Sequence, residues 1–521
     1  MNAPTRRARL FALLLLLLAT LCAQAAPPAP QRAAARTRGG YALTRADVDF
    51  LEDLSQRAFQ YFLDHADAQT GLVRDRARTG GSPIDSETGR DVASIAATGF
   101  GLTGLCVAAE RRWVAPREAR ERVRTTLRFF AERAYHNHGW FYHWMNLRTG
   151  ERAWRSEVSS IDTALLLGGV LTVRQCFRDD PEVVRLATRI YERVDFRWML
   201  DGHPALLSHG WYPERGFIPH RWRDYSEQMM LILLAVGSPT HPIPPNAWRA
   251  WERKWITYAG FHYLNAHPPL FIHQYSHAWV DFRDRREGWY PFVNYFENSV
   301  KATRAHRQFC IDLSKEFPAY GPDVWGISAS DSERGYVAWG GPPRDPAIDG
   351  TVVPYAAAGS LMFTPDISLA ALRALKEKYG AKVYGRYGFA DAFNPTTGWV
   401  DPDVIGIDVG ITLLSAENLR SGFVWRHFMR NPEVRRALRL DGLRPRARGA
   451  RAGMPAVPPA PVARSAAHFD STTSERVADE SANRGRSLRD PRRDAGELVR
   501  THHATAGAPA VRRAHADGGI Q

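Results

Sequence analysis

Across about 400 of the 521 residues, large apolar side chains return every three to five positions, the repeat that gathers them on one face of a helix. Val48, Leu51, Leu54, Phe59 and Phe62 open the series. Comparable runs lie near 91–113, 116–135, 159–178, 181–199, 224–236, 246–265, 293–316, 352–361, 366–379, 409–420 and 422–440. Alternating strand patterns are scarce, Gly139 to Asn146 being the clearest. Several runs, among them Ile161 to Val173 and Met229 to Val236, are apolar on every side, so helices formed there must be buried all round. The run 116–135, rich in Arg and Glu, has a wet face. Buried helices alternating with amphipathic ones predict an inner ring within an outer ring. That is an all-α fold, an (α/α)6 barrel of about twelve helices. A helical array and two packed bundles are alternatives that periodicity leaves open.

The pattern holds for 41–443 and stops outside it. Arg6, Arg7 and Arg9 precede an apolar run from Leu10 to Leu21 and then Ala23-Gln24-Ala25, the order of a secretory signal, with cleavage expected after Ala25. The run falls short of the ~20 apolar residues that span a bilayer, which argues against stable membrane insertion. Residues 1–25 are thus expected to be a signal peptide and 26–40 an Ala/Pro/Arg-rich linker. Residues 444–521, rich in Arg, Ala and Pro, are expected to be a disordered tail. The mature protein is expected in the periplasm or secreted. Of the four cysteines, Cys106, Cys176 and Cys310 remain after cleavage; each sits in an apolar run, with no CxxC or zinc spacing.

The formal net charge of +14 tempts a nucleic-acid reading, but its distribution argues against one. Residues 1–40 carry +6, the tail from 441 onward +5, and the body between them only +3. Arg outnumbers Lys 63 to 6, where phosphate-binding surfaces commonly use both. No nucleic-acid partner is expected, and a monomer is.

Acids stand where the all-apolar helices begin. Glu157 precedes Ser159-Ser160-Ile161-Asp162, where Ser159 is placed to cap a helix. Asp224 and Glu227 precede Met229 to Ala235 and fit a D-x-x-E capping box. Asp331 and Glu333 sit in a Gly/Ser loop, and Asp408 begins the run that contains Glu417. Any one of these is explained by the helix macrodipole, a gain of about 0.3–1 kcal/mol. Glu157 is harder to dismiss, because it lies outside the expected helix beside Trp154 and Arg155. Aromatic side chains shift the balance towards a carbohydrate site. His138-Gly139-Trp140-Phe141-Tyr142-His143-Trp144 is dense in rings, and Tyr225 and Trp325 recur in other polar stretches. Sugars need flat apolar faces with polar edges. Glycosidic hydrolysis needs one carboxylic acid to protonate the leaving oxygen and one carboxylate to activate water or attack carbon.

Several ordered motifs carry a resemblance. They are His138 to Trp144, Thr149-Gly150, Ser156 to Leu166, Tyr225-Ser226-Glu227 with Gly237-Ser238-Pro239, Trp325 to Asp331, Gly388 to Asn394, and Gly406 to Gly410 with Glu417-Asn418. The chain resembles the bacterial glucoamylase-like family that includes the endo-β-1,2-glucanases of glycoside hydrolase family 144. The resemblance runs from about 45 to 440. It implies an (α/α)6 barrel, no cofactor and no metal, and hydrolysis of β-1,2-linked glucose chains. It also implies catalytic roles for Glu227, as general acid, and Glu157, as base through water or as nucleophile. His143, Trp140, Tyr142, Trp154, Asp162, Tyr225, Trp325, Asp331 and Asp408 are the expected glucan contacts. Val409 departs from the pattern, where Gln is expected, and puts one subsite contact in doubt. The competing readings are a β-1,2-glucan transglycosylase and a non-catalytic glycan-binding protein. A protease is disfavoured, since neither HExxH nor GxSxG occurs.

Overall fold

A computed structural model describes residues 41–445, so the expected signal peptide, the linker and nearly all of the expected tail lie outside the described residues. The described chain divides after Asp49. In the first unit, Thr44 and Asp47 cap the start of a helix reciprocally: Asp47 N–H donates to Thr44 Oγ1 at 3.1 Å, and Thr44 N–H to Asp47 Oδ2 at 2.7 Å.

Ten helices of nine residues or more form among the described residues. They are α1 (Arg45–His65), α2 (Ile95–Arg111), α3 (Pro116–Arg128), α4 (Ser160–Cys176), α5 (Pro181–Glu192), α6 (Met229–Gly237), α7 (Tyr295–Asp312), α8 (Pro365–Tyr379), α9 (Gly406–Arg420) and α10 (Pro432–Leu440). Every residue of α6 is buried, as is nearly all of α2, α4 and α9. By contrast α3, α5 and α10 bury only one stripe. The expected alternation of buried and amphipathic helices is therefore present. Where α2 and α4 cross, their backbones touch: a Cβ on Gly169 would lie 2.2 Å from the Gly99 carbonyl oxygen, and one on Gly99 2.3 Å from that of Leu165. Only glycine fits there.

Three departures from the sequence reading have local causes. The segment 246–265 is not one helix. After a single turn, Ala247–Ala250, it forms an antiparallel hairpin of Trp255–Tyr258 and Phe261–Leu264. Its aromatic and β-branched residues suit strands, and Ala259 and Gly260 both take positive φ, as a tight primed turn requires. The run 422–440 divides into Phe423–Phe428 and α10, because Pro432 has no N–H to continue the first helix. The fold is also not purely helical. Strands of two to four residues recur, and three of them lead directly into buried helices: Val92–Ser94 into α2, Val158–Ser159 into α4 and Asp403–Ile405 into α9. They pair antiparallel with Val73–Arg74 and Trp144–Asn146, with Gly210–Tyr212, and with Arg76–Arg78 respectively. These pairings gather the N-terminal ends of the buried helices and the loops beside them.

Candidate active site

Glu157 lies just before the strand that enters α4, and Ser159 caps that helix. The expected box forms: Asp162 N–H donates to Ser159 Oγ at 3.2 Å, and the Ser159 hydroxyl donates to Asp162 Oδ2 at 2.6 Å. His143 bridges the two acids, with Nδ1 2.9 Å from Glu157 Oε1 and Nε2 3.4 Å from Asp162 Oδ1. All three side chains are buried. Burial disfavours a charged ring, but the Asp162 and Glu157 carboxylates outweigh it and lift the His143 imidazole to about 9. Raised this far, the ring is charged at neutral pH, donates from Nδ1 to Glu157 and faces Asp162 with Nε2. The ring stacks on Trp144 at 3.5 Å, and the Trp144 indole N–H donates to Asp75 Oδ1 at 3.1 Å.

Glu227 reaches the same region from the start of α6. Asp224 does not cap that helix, whose N-cap position is Gln228 with no side-chain cap; it pairs instead with Lys254 at 2.7 Å. The Ser226 hydroxyl donates to the Glu227 carboxylate. Ser276 anchors the backbone, its hydroxyl donating to the Glu227 carbonyl at 2.5 Å and accepting from Met230 N–H at 2.9 Å. Burial raises the Glu227 carboxyl to about 7, and the nearby Asp162 charge adds to the shift. Glu227 opens onto a cleft of about 430 Å³, lined also by His209, Arg221, Trp222, Ser226 and Phe271. A buried carboxyl raised towards neutrality is what a general acid requires.

A second acidic group flanks the first. Asp408, in the first turn of α9, accepts from the Tyr275 hydroxyl at 3.1 Å, and burial lifts its carboxyl to about 8. Burial, with repulsion from Asp408 and Asp331, raises Asp391 well above the carboxylate range. Asp331 N–H donates to Asp391 Oδ2 at 3.1 Å, and the Arg76 guanidinium holds Asp331 Oδ2 at 2.5 Å. Asp391 and Asp408 line a second cleft, of about 320 Å³, with Tyr355, Tyr387, Ile405 and Thr412. The negative charge of Asp75 acts on both groups, helping to raise His143 and Asp162 on one side and Asp408 on the other.

The aromatic expectations divide. Tyr142 stacks on Tyr135 at 5.2 Å, the Arg152 guanidinium lies 5.1 Å over its ring, and Trp154 meets Trp144 edge to face. These rings border the His143–Glu157 pair. Trp140, Tyr225 and Trp325 do not face a cleft and are corrected to core residues, each fully buried. The Trp140 indole donates to the Asp195 carbonyl at 2.8 Å, and the Tyr225 hydroxyl meets His273 Nδ1 at 3.1 Å. Glu333 is exposed, and Glu417, at the far end of α9, pairs with Arg111. Val409 lines the second cleft beside Asp408. Sequence reasoning passed over Asp75, Arg76, Asp401 and Asp403, and noted Asp391 only as part of the motif Gly388 to Asn394. One signal was available: Asp401-Pro402-Asp403 stands two residues before Gly406-Ile407-Asp408.

Residues 219–432 match the Glycoamylase family model, described as "Putative glucoamylase". An exo β-1,2-glucooligosaccharide sophorohydrolase of Parabacteroides distasonis is 28% identical over 435 residues, covering 75% of this chain and 57% of that protein. The chain thus spans a little over half the length of that curated relative. Among solved structures, an endo-β-1,2-glucanase of Chitinophaga pinensis, in complex with sophorotriose and glucose, superposes with a TM-score of 0.70 at 29% identity, covering 77% of this chain and 99% of that one. A glucoamylase-type protein of Bacteroides fragilis superposes with a TM-score of 0.71 at 30% identity, covering 80% and 99%. With identity at that level across nearly the whole of the Bacteroides fragilis protein, this chain belongs to the glucoamylase-like family.

Proposed function

We propose that the protein is a glycoside hydrolase that cleaves β-1,2-linked glucan in the cleft of an (α/α)6 barrel, with no cofactor in its chemical steps. The observation that carries this reading is the buried Glu227, whose carboxyl is raised to about 7 and feels the charge of Asp162, the acid that His143 bridges to Glu157. Glu227 protonates the glycosidic oxygen as the bond to the anomeric carbon breaks. Glu157 takes a proton from the attacking water, or attacks the carbon itself. The β-1,2 linkage is supported by the activities of the Parabacteroides and Chitinophaga relatives. The barrel is supported by the alternation of fully buried and one-sided helices. The charged, apolar and small-residue order of residues 6–25 supports export to the periplasm or beyond.

A second assignment of the base, to Asp408, is favoured by its opening onto the cleft it shares with Asp391 and Tyr355. The test is digestion of linear β-1,2-glucan, beside β-1,3-, β-1,4- and α-1,4-glucans, by wild type, Glu227→Gln, Glu157→Gln and Asp408→Asn. Short β-1,2-oligosaccharides that drop by about 10²–10⁴-fold with Glu227→Gln establish the reading. The deeper loss between the other two variants identifies the base. Sophorose as the sole early product indicates exo cleavage, and a ladder indicates endo cleavage. Products unchanged by Glu227→Gln, or release from none of the glucans, would overturn the proposal.

A further inference from the structure

Asp331, Asp401 and Asp403 bring one carboxylate oxygen each within 4.8 Å of one another. They converge from two parts of the fold. Asp331 belongs to the loop after Trp325, whereas Asp403 begins the strand that pairs with Arg76–Arg78 and runs into α9, and Asp401 stands two residues before it. Asp391 stands beside them, accepting the Asp331 N–H. These four acids meet two guanidinium groups: Arg76 pairs with Asp331, and Arg78 with Asp403 at 2.9 Å. Among the described residues, neither guanidinium pairs with Asp391 or Asp401.

Asp401 is 3% exposed. Its Oδ1 accepts Asp403 N–H at 2.9 Å, but its Oδ2 is buried and accepts no hydrogen bond from any described residue. A buried carboxylate oxygen without a donor is costly, at several kcal/mol when the group is charged and uncompensated. A cation held beside it removes that cost.

We propose that Asp331, Asp401 and Asp403 form a binding site for a divalent cation of calcium size. The donors are all hard oxygens, with neither His nor Cys in the set, which disfavours zinc and copper. Calcium–oxygen bonds of ~2.3–2.6 Å let ligands on opposite sides of the ion stand up to ~5 Å apart, which accommodates the observed spacing. Magnesium, at ~2.1 Å, needs a tighter and more regular set. Water fills the remaining coordination positions, and the side chain of Asp331, 15% exposed, provides the opening to solvent. The ion ties the Asp331 loop to the strand that enters α9, and so steadies Asp408 from two sides. The inference does not rest on the hydrolase reading, because binding is measured without any glycan.

The experiment is calorimetric titration of the full-length protein with calcium chloride after chelator treatment and dialysis, paired with thermal unfolding in calcium and in EGTA. Binding of one ion per chain, a higher melting temperature in calcium, and affinity weaker by on the order of tenfold or more in Asp401→Asn support the site. Asp331→Asn is the second variant, so that misfolding of one does not leave the question open; circular dichroism reports the fold of each. Absence of calcium binding by wild type overturns the proposal, as does binding by both folded variants as tight as in wild type.

Discussion

His143 and Glu227 both titrate away from their ordinary values, and Asp162 acts on each of them. The imidazolium between Glu157 and Asp162 opposes the burial that raises Asp162, whereas burial and the Asp162 charge together push Glu227 towards its neutral form. Removal of the ring leaves two neighbouring buried acids without their shared cation. His143→Gln is therefore expected to cost about 3–5 kcal/mol in stability and to lower activity by at least ~10²-fold. Its pH signature is specific. The folded-state pKa of about 9 lies above the ordinary 6.5, so the stabilisation is fully present below pH 6.5 and is lost as pH rises through 9, a change of about 3 kcal/mol. Melting temperatures taken from pH 6 to 9.5 are expected to fall in wild type and to start lower, and stay flatter, in the variant. A parallel fall in both would remove His143 from this role.

At the scale of elements, the position of Glu157 depends on how closely α4 approaches α2. The two helices meet through Gly99 and Gly169 with no room for a methyl group, and α4 carries the Ser159–Asp162 cap next to Glu157. Gly169→Ala is expected to force the helices apart and to destabilise the protein by about 3 kcal/mol or more, despite the better helix propensity of alanine. Urea unfolding measures the loss, and an unchanged or raised midpoint would contradict the close crossing. The two sequence signals for helix starts fared differently for a physical reason. Ser159 is followed by a residue that returns its hydrogen bond, so the cap closes locally. Asp224 has the spacing of a cap, but Lys254, thirty residues away in the sequence, claims its carboxylate.

At the scale of the whole molecule, the burial of Glu227 sets a pH dependence for both activity and stability. As the acid, Glu227 must be protonated, so kcat/KM on β-1,2-glucan is expected to fall about tenfold per pH unit above its pKa of about 7. Its folded pKa also exceeds the unfolded value near 4.5, so the associated stability is present below pH 4.5 and is lost as pH rises through 7. A pH–rate profile with no alkaline limb between 6.5 and 8.5 would sink the assignment of Glu227 as the acid.

Periodicity alone determined that the chain is predominantly helical and which helices are buried, because a helix apolar on all sides has no stable place at a surface. The motifs around Glu157, Glu227, Asp331 and Asp408 were legible as well, since they are contiguous along the chain. Tertiary structure alone decided how deeply each ring is buried. Trp140 and Tyr142 are two residues apart, yet one is fully sealed in the core and the other, also buried, stacks under half-exposed Tyr135. The fold alone also brought Asp75 and Arg76 to the acids near Asp408. Arg76 reaches Asp331 across 255 positions, and the pairing of Arg76–Arg78 with Asp403–Ile405 leaves no local mark in the sequence.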